Sequence, residues 1–452
     1  MQAVGKNEGA MTAREAAAPR DTAPPREPAP HRPTAPPREA APLRPTARAW
    51  TIWAIGAAFY FVAVFHRMAL GVAGLTAEER LHVGHGQLAT FTALQFFMYL
   101  VMQVPAGLAA DRVGPRRTLA AGLACMAAGE ALFAAAHAMP LALVARALIG
   151  MGDALTLLNV LRLAQAWFPP RMGSLLATAT GAVGALGQLL GTIPLRAALD
   201  GLGWTATFAG GSVATVLLFF VALATIRDRP DDRPAPARHA HAPVLATLRD
   251  AWARPGTRHG FWVHLALFCP FLTIGALWGS PFLEEGQHLS SSSAATYLLV
   301  LTAAFAASGP VVGAIAGLGV RAQNRTVLAL NAIVALPWLA ILLWPGGVVP
   351  RALLLAGFVC CGAATSGGMV AFDIGRRENP AVAGGSATAL VNCGGFSSAI
   401  LCLLVAGSIL GDGSGESAAR FQVALAPMVA LSLLGLVQSA RLTRAREQTS
   451  TA

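Results

Sequence analysis

Apolar residues run along most of this chain in long blocks, and polar positions gather between the blocks rather than on one face of a period. A helix that crosses about 30 Å of hydrocarbon needs roughly 20 apolar residues. Runs of that length predict spans near 50–74, 87–109, 118–138, 140–163, 174–197 and 203–226, and again near 260–282, 295–318, 327–345, 350–373, 383–409 and 420–440. The pattern predicts an all-α polytopic membrane protein of twelve transmembrane helices in two six-helix pseudo-repeats. The polar interval from Arg227 to Arg258 is the joint between them. The expected organisation is a tail at 1–48, a six-helix bundle at 49–226, a central loop at 227–258, a second bundle at 259–440 and a short tail at 441–452.

Composition sharpens this picture. Only 12% of residues are charged and 55% are hydrophobic, against about 25% charged in a soluble domain. The first 48 residues are built from Ala, Pro, Arg and Glu, with Arg14, Arg20, Arg26, Arg32, Arg38 and Arg44 six apart. Such a segment cannot bury apolar surface and is expected to be disordered. It lacks the short apolar core and cleavage site of a signal peptide, so membrane entry is expected to begin with the first span. The net charge of +11 would suit nucleic acid, yet no aromatic-basic platform or zinc-ligand spacing accompanies it, and nucleic acid is not expected as a partner.

The arginines explain the charge better. Loops rich in Arg are retained in the cytoplasm. With both termini inside, 19 of the 25 Arg after residue 48 fall in cytoplasmic segments and only Arg80, Arg196, Arg351 and Arg420 fall outside. Arg67 and Arg146 lie within spans. The expected location is the inner membrane, multi-pass, with cytoplasmic termini.

The two halves echo one another. Pro105 and Gly107 at the end of span 2 return as Pro310 and Gly313 at the end of span 8, and the glycines of span 5 return in span 11. Two six-helix repeats around a midplane cavity suit alternating access.

The loop after span 2 reads Gly107, Asp111, Arg112, Gly114, Arg116 and Arg117 in the spacing G-x-x-x-D-R-x-G-x-R-R. This motif is similar to the signature loop of the major facilitator superfamily, and with twelve spans and a central loop the resemblance covers residues 50 to 440. These six residues are expected to form a gating loop, with Asp111 pairing a nearby Arg or capping a helix N-terminus. The second half has Gly317 where the acid would fall.

Charges within spans are expensive and functional by default. Span 1 carries His66 and Arg67, then small and apolar residues to Ala73; span 4 carries Arg146, Gly150 and Asp153 and ends at Trp167, Phe168 and Pro169. Both helices resemble the anion:cation symporter type within the superfamily. That resemblance implies that Arg67 binds an anionic substrate group, in a bidentate way. His66 stands where those relatives usually have an acid. The seven-residue separation puts Arg146 and Asp153 on nearly the same helical face, so Asp153 is the expected proton-coupling residue and Arg146 the group that modulates it. Glu130 in span 3 stands alone and is expected to be structural.

Gln188 and Asn392 are further candidate substrate-binding residues, with His264, Trp278 and Tyr297 as candidate lining residues. Gly181, Gly184, Gly187 and Gly191 in span 5, and Gly384, Gly385, Gly394 and Gly395 in span 11, are expected to allow close, sliding helix contacts. The pattern after Asn392 has some likeness to nitrate/nitrite porters, but those carry Arg in spans 2 and 8, where this chain has none. The six cysteines lie in apolar spans without metal-ligand spacing, and no phosphate-cradling loop or activated nucleophile is present. No cofactor, metal or enzyme activity is expected. The expected protein is a monomeric secondary transporter, taking up a small organic anion with protons across the lipid bilayer. The alternatives are a drug or metabolite exporter working as a proton antiporter, a nitrate/nitrite porter, or a transport-inactive membrane sensor.

Overall fold

The structure, a computed structural model, describes residues 45–169, 172–230, 243–380, 384–411 and 417–451. The tail expected at 1–48 therefore lies outside the described residues up to position 44, as does 231–242 of the central loop. Every described helix belongs to one compact unit, Leu43–Ala452.

Among the described residues the fold is helical without strands. Eleven apolar runs are long enough to cross a membrane. One of them, Leu175–Thr225, has 51 residues, about 76 Å if straight and more than two crossings of hydrocarbon. It turns at Gly203, where φ of 75° takes the backbone out of helical geometry, so spans 5 and 6 both lie within it. The total is the expected twelve. Large apolar side chains such as Val213, Leu217, Phe220, Leu336, Leu401 and Val423 stay exposed, as lipid-facing residues must when water is not the solvent.

Among the interrupted spans, four hold equivalent places in the two repeats. Span 1 is Ala47–Met68 continued by Leu70–Leu81, and span 4 is Met139–Ala154 continued by Leu157–Trp167. In the second repeat, span 7 passes from Pro255–Thr273 into π-helical turns at Ile274–Trp278 and Phe282–Gly286, and span 10 is Arg351–Thr365 followed by Gly367–Arg377. Hydroxyls that compete for backbone carbonyls mark two of the breaks. Thr156 Oγ1 donates to the Asp153 carbonyl at 2.7 Å and Ser366 Oγ to that of Ala363 at 2.7 Å.

The small residues act in pairs related by the repeat. A side chain on Gly187 of span 5 would collide with the Phe61 carbonyl of span 1, and one on Gly394 of span 11 with the Phe261 carbonyl of span 7. Gly150 meets the Gln95 carbonyl, joining spans 4 and 2, as Gly362 meets that of Leu301, joining spans 10 and 8. Gly181 and Gly385 face open space instead. Gly187→Leu and Gly394→Leu are therefore each expected to cost about 3 kcal/mol and to broaden the size-exclusion peak in detergent. Gly181→Leu should leave the peak unchanged.

The described polar contacts between spans 1–6 and spans 7–12 sit at the Arg-poor end and the middle. There, Gly71 packs on the Gly275 carbonyl, Gly86 N–H donates to the Gly411 carbonyl at 2.8 Å, and His85 meets Glu285 at 2.9 Å. At the Arg-rich end the described hydrogen bonds remain within one half. Arg162 donates to the Gly107 carbonyl at 3.3 Å, Trp167 to that of Arg227 at 2.9 Å and Arg254 to that of Glu378 at 2.9 Å.

Candidate substrate and proton site

His66 and Arg67 are consecutive, so their side chains leave span 1 about 100° apart and meet different neighbours. Arg67 reaches across to span 4: its Nε donates to Asp153 Oδ2 at 2.7 Å and its Nη2 to Oδ1 at 2.6 Å. This is the parallel fork that makes Arg–carboxylate pairs strong. Arg67 is 6% exposed and Asp153 2%, so each ion depends on the other. The Arg67 guanidinium also lies 5.1 Å from the centre of the Tyr99 ring and 5.7 Å from that of Phe396. Those rings stack on each other at 4.5 Å, one from span 2 and one from span 11. Asn392 supports them by donating to the Tyr99 hydroxyl at 3.3 Å.

Arg146 was expected to be the partner of Asp153, and the structure gives that place to Arg67. The shared helical face is not sufficient, because span 4 breaks just beyond Asp153 and the carboxylate is already held by a bidentate fork. Arg146 is fully buried and turns to other groups. Its Nη1 donates to Gln95 Oε1 at 3.1 Å and to the His66 carbonyl at 3.3 Å, and its guanidinium sits 3.9 Å over the Phe133 ring. Glu130, expected to stand alone, contacts His66: Oε1 lies 2.9 Å from Nδ1, both residues being 1% exposed. The other ring nitrogen of His66 meets Thr215 Oγ1 at 3.0 Å.

The remaining candidates divide between contact and packing. Gln188 Nε2 donates to Thr302 Oγ1 at 3.0 Å, joining spans 5 and 8 beside a small cavity lined also by Met68 and Val72. His264 is held in the second half, where its Nδ1 accepts from the Gly395 N–H at 3.1 Å. Trp278 donates to the Leu403 carbonyl at 3.3 Å and Tyr297 to that of Arg351 at 3.4 Å.

In the expected gating loop, the side chain of Asp111 lies outside the described residues. The helix N-terminus that follows is capped by Asp228, whose Oδ1 accepts from the Arg116 N–H at 2.6 Å. A carboxylate there meets the positive end of the helix dipole. It packs against Gly114, whose φ of 90° and lack of a side chain admit it. Arg116 donates to the Leu223 carbonyl at 2.6 Å, while Arg112 and Arg117 are exposed.

A second cluster was not anticipated. His85 of span 2 meets Glu78 at 2.5 Å through Nδ1 and Glu285 of span 7 at 2.9 Å through Nε2. The three residues offer one ligand atom each within 4.8 Å, but the two carboxylates occupy opposite ring nitrogens. Carboxylates only accept, so the geometry suits a doubly protonated ring better than a chelated metal.

Several of these groups were missed at the level of sequence. Glu130 carried a usable signal, because an acid within a span is functional by default. Tyr60 and Tyr99 carried another, since the chain has only three tyrosines and both of these face Arg67. Gln95, Thr215 and Phe396 carried none.

Comparison with known proteins places the arrangement. Residues 53–374 match the family model described as Major Facilitator Superfamily. A protein of Agrobacterium vitis named "Putative tartrate transporter" is 26% identical over 179 residues, which are 38% of this chain and 41% of that protein. An uncharacterized MFS-type transporter of Mycobacterium tuberculosis is 23% identical over 153 residues, 34% of this chain and 26% of the relative. The chain thus spans less than half the length of these curated relatives. Among solved structures, a bacterial homologue of the human lysosomal transporter Spinster, in an inward-facing and occupied conformation, superimposes with a TM-score of 0.67 at 15% identity, over 89% of this chain and 98% of that one. A D-xylose–proton symporter gives 0.68 at 14% identity, over 88% and 97%. At these identities the likeness is one of fold.

Proposed function

We propose, from the premise that this chain belongs to the Major Facilitator Superfamily, that it is a secondary transporter that takes up a small organic anion together with protons. The observation that carries this reading is the buried Arg67–Asp153 fork beside the stacked aromatic rings of the two halves. Arg67 has committed Nε and one Nη2 proton to Asp153, so a substrate carboxylate that takes the remaining Nη1 and Nη2 donors becomes the second carboxylate on this guanidinium. Two carboxylates on one guanidinium leave a surplus negative charge in a low-dielectric site, which protonation of Asp153 removes. Proton and anion therefore enter together. Likeness to proteins named as tartrate transporters supports an organic acid as the substrate.

With the Arg-rich end in the cytoplasm of an inner-membrane protein, contacts between the halves close the outer side and the state is inward-facing. Alternation then requires the outer contacts to break, His85–Glu285 among them. His85→Ala removes a charge-assisted contact of about 1.5–3 kcal/mol and should raise the outward-open population at least about tenfold. Faster reaction of a Val72→Cys thiol with a membrane-impermeant maleimide, above that of the native cysteines, would register the change.

The function itself is tested in proteoliposomes containing the full chain, with labelled tartrate as the first probe and other organic acids beside it. An imposed gradient, acid outside, should drive concentrative uptake that a protonophore abolishes. Uptake indifferent to the gradient would remove proton symport, and proton-driven expulsion would favour an exporter.

A further inference from the structure

We propose that Glu130 and His66 hold a second transferable proton, separate from any on Asp153, and that the Glu130 carboxyl alternates between His66 and Arg146. The argument is a count of protons. Thr215 Oγ1 donates its single proton to the Gly211 carbonyl at 2.9 Å, so it faces His66 as an acceptor. The ring Nε2, 3.0 Å from it, therefore carries a proton. On the other side of the ring, Nδ1 and Glu130 Oε1 lie 2.9 Å apart at a site where both residues are 1% exposed. A bare nitrogen lone pair against a carboxylate would be repulsive there. One proton must occupy the contact, on the ring beside a carboxylate or on the carboxyl beside a neutral ring. Both forms hold the same number of protons without net charge, so the proton belongs to the pair rather than to either group.

Loss of that proton leaves a buried carboxylate facing a lone pair, and the counter-charge for it is already in place. Arg146 Nε and Nη2 are buried with no hydrogen-bond partner among the described residues, and so is Glu130 Oε2. The contact with Nδ1 is close without being aligned as a hydrogen bond, which leaves the carboxyl poised between two neighbours. Spans 3 and 4 pack closely beside these residues, where Gly129 meets the Ala145 carbonyl, and Gly211 of span 6 puts no side chain over the pair. The groups that face the pair are Arg146 from span 4, Thr215 from span 6 and the neutral Gln95 from span 2, with Arg67 and Asp153 next along spans 1 and 4. The loaded arrangement is Glu130 with His66; in the unloaded one the carboxylate turns to Arg146, and the proton passes to water at whichever side is open. The use of this proton in transport rests on the symport reading above, but its existence does not.

The test is infrared difference spectroscopy of the full chain in lipid nanodiscs through a pH titration. Asp153→Asn protein should keep a titrating carboxyl or imidazolium band that disappears when Glu130→Gln is added. Glu130→Gln retains an amide donor for Nδ1, so an unchanged melting temperature should accompany the loss. Arg146→Gln should alter the pH range over which that band is seen, since the carboxylate loses its counter-charge, and Arg146→Lys should restore it. Identical spectra with and without Glu130→Gln would overturn the site, whatever transport shows. A band lost with Glu130→Gln in a protein whose uptake ignores the pH gradient would keep the site and remove the symport reading instead.

Discussion

Asp153→Asn protein is expected to exchange anion across the membrane while failing to concentrate it. The amide cannot ionise, so Arg67 is no longer tied up by a competing carboxylate, and the substrate gains access without a proton. For one proton with one monoanion, each pH unit of gradient corresponds to 1.36 kcal/mol, or about tenfold accumulation. That factor should fall to one in the variant. Counterflow of labelled against unlabelled anion should survive, and its dependence on pH should flatten. The two assays together separate coupling from folding, because a misfolded protein loses both. Concentrative uptake at the original level would eliminate Asp153 as a coupling residue.

Removal of Arg67 should weaken anion binding by roughly 100-fold. Two charge-assisted hydrogen bonds to a substrate carboxylate are worth about 3 kcal/mol together at the low end, and each 1.4 kcal/mol is tenfold. Arg67→Ala alone would strand Asp153 as a buried charge, at a cost of about 3–5 kcal/mol. The informative protein is therefore Arg67→Gln combined with Asp153→Asn, in which the site is neutral on both sides. Arg67→Lys keeps the charge without the planar fork and should fall between the two. Ligand-induced thermal shift in a panel of organic acids measures the affinities; an undiminished shift in the double variant would place the anion elsewhere.

The fold was legible because a bilayer is a demanding solvent. Every backbone group must be satisfied within its own helix, so twelve apolar blocks became twelve spans, and even the merged Leu175–Thr225 run turns at a glycine where the second of two predicted segments begins. Glycines were legible as a class, although their individual duties were not. Gly187 and Gly394 meet opposing backbone while Gly181 faces open space, a difference that depends on the direction each helix presents. One capping acid was not legible for a related reason: Asp228, more than a hundred residues beyond the signature loop, arrives at the helix N-terminus through the end of span 6.

Composition and periodicity also selected the charges worth attention, since ionised groups within spans are costly enough to be rare. His66, Arg67, Arg146 and Asp153 were all visible on that ground alone. Their partners were not. Spacing along one helix suggested Arg146 for Asp153, whereas the folded chain couples Asp153 to Arg67 on span 1 and sets Glu130 beside His66. The sequence by itself determined the span count, the repeat and which side chains must find partners, because those follow from the cost of leaving water. Only the tertiary structure decided the pairing, because a charge in low dielectric goes to the nearest opposite group in space, and spans 4 and 3, far from span 1 in sequence, supply those groups.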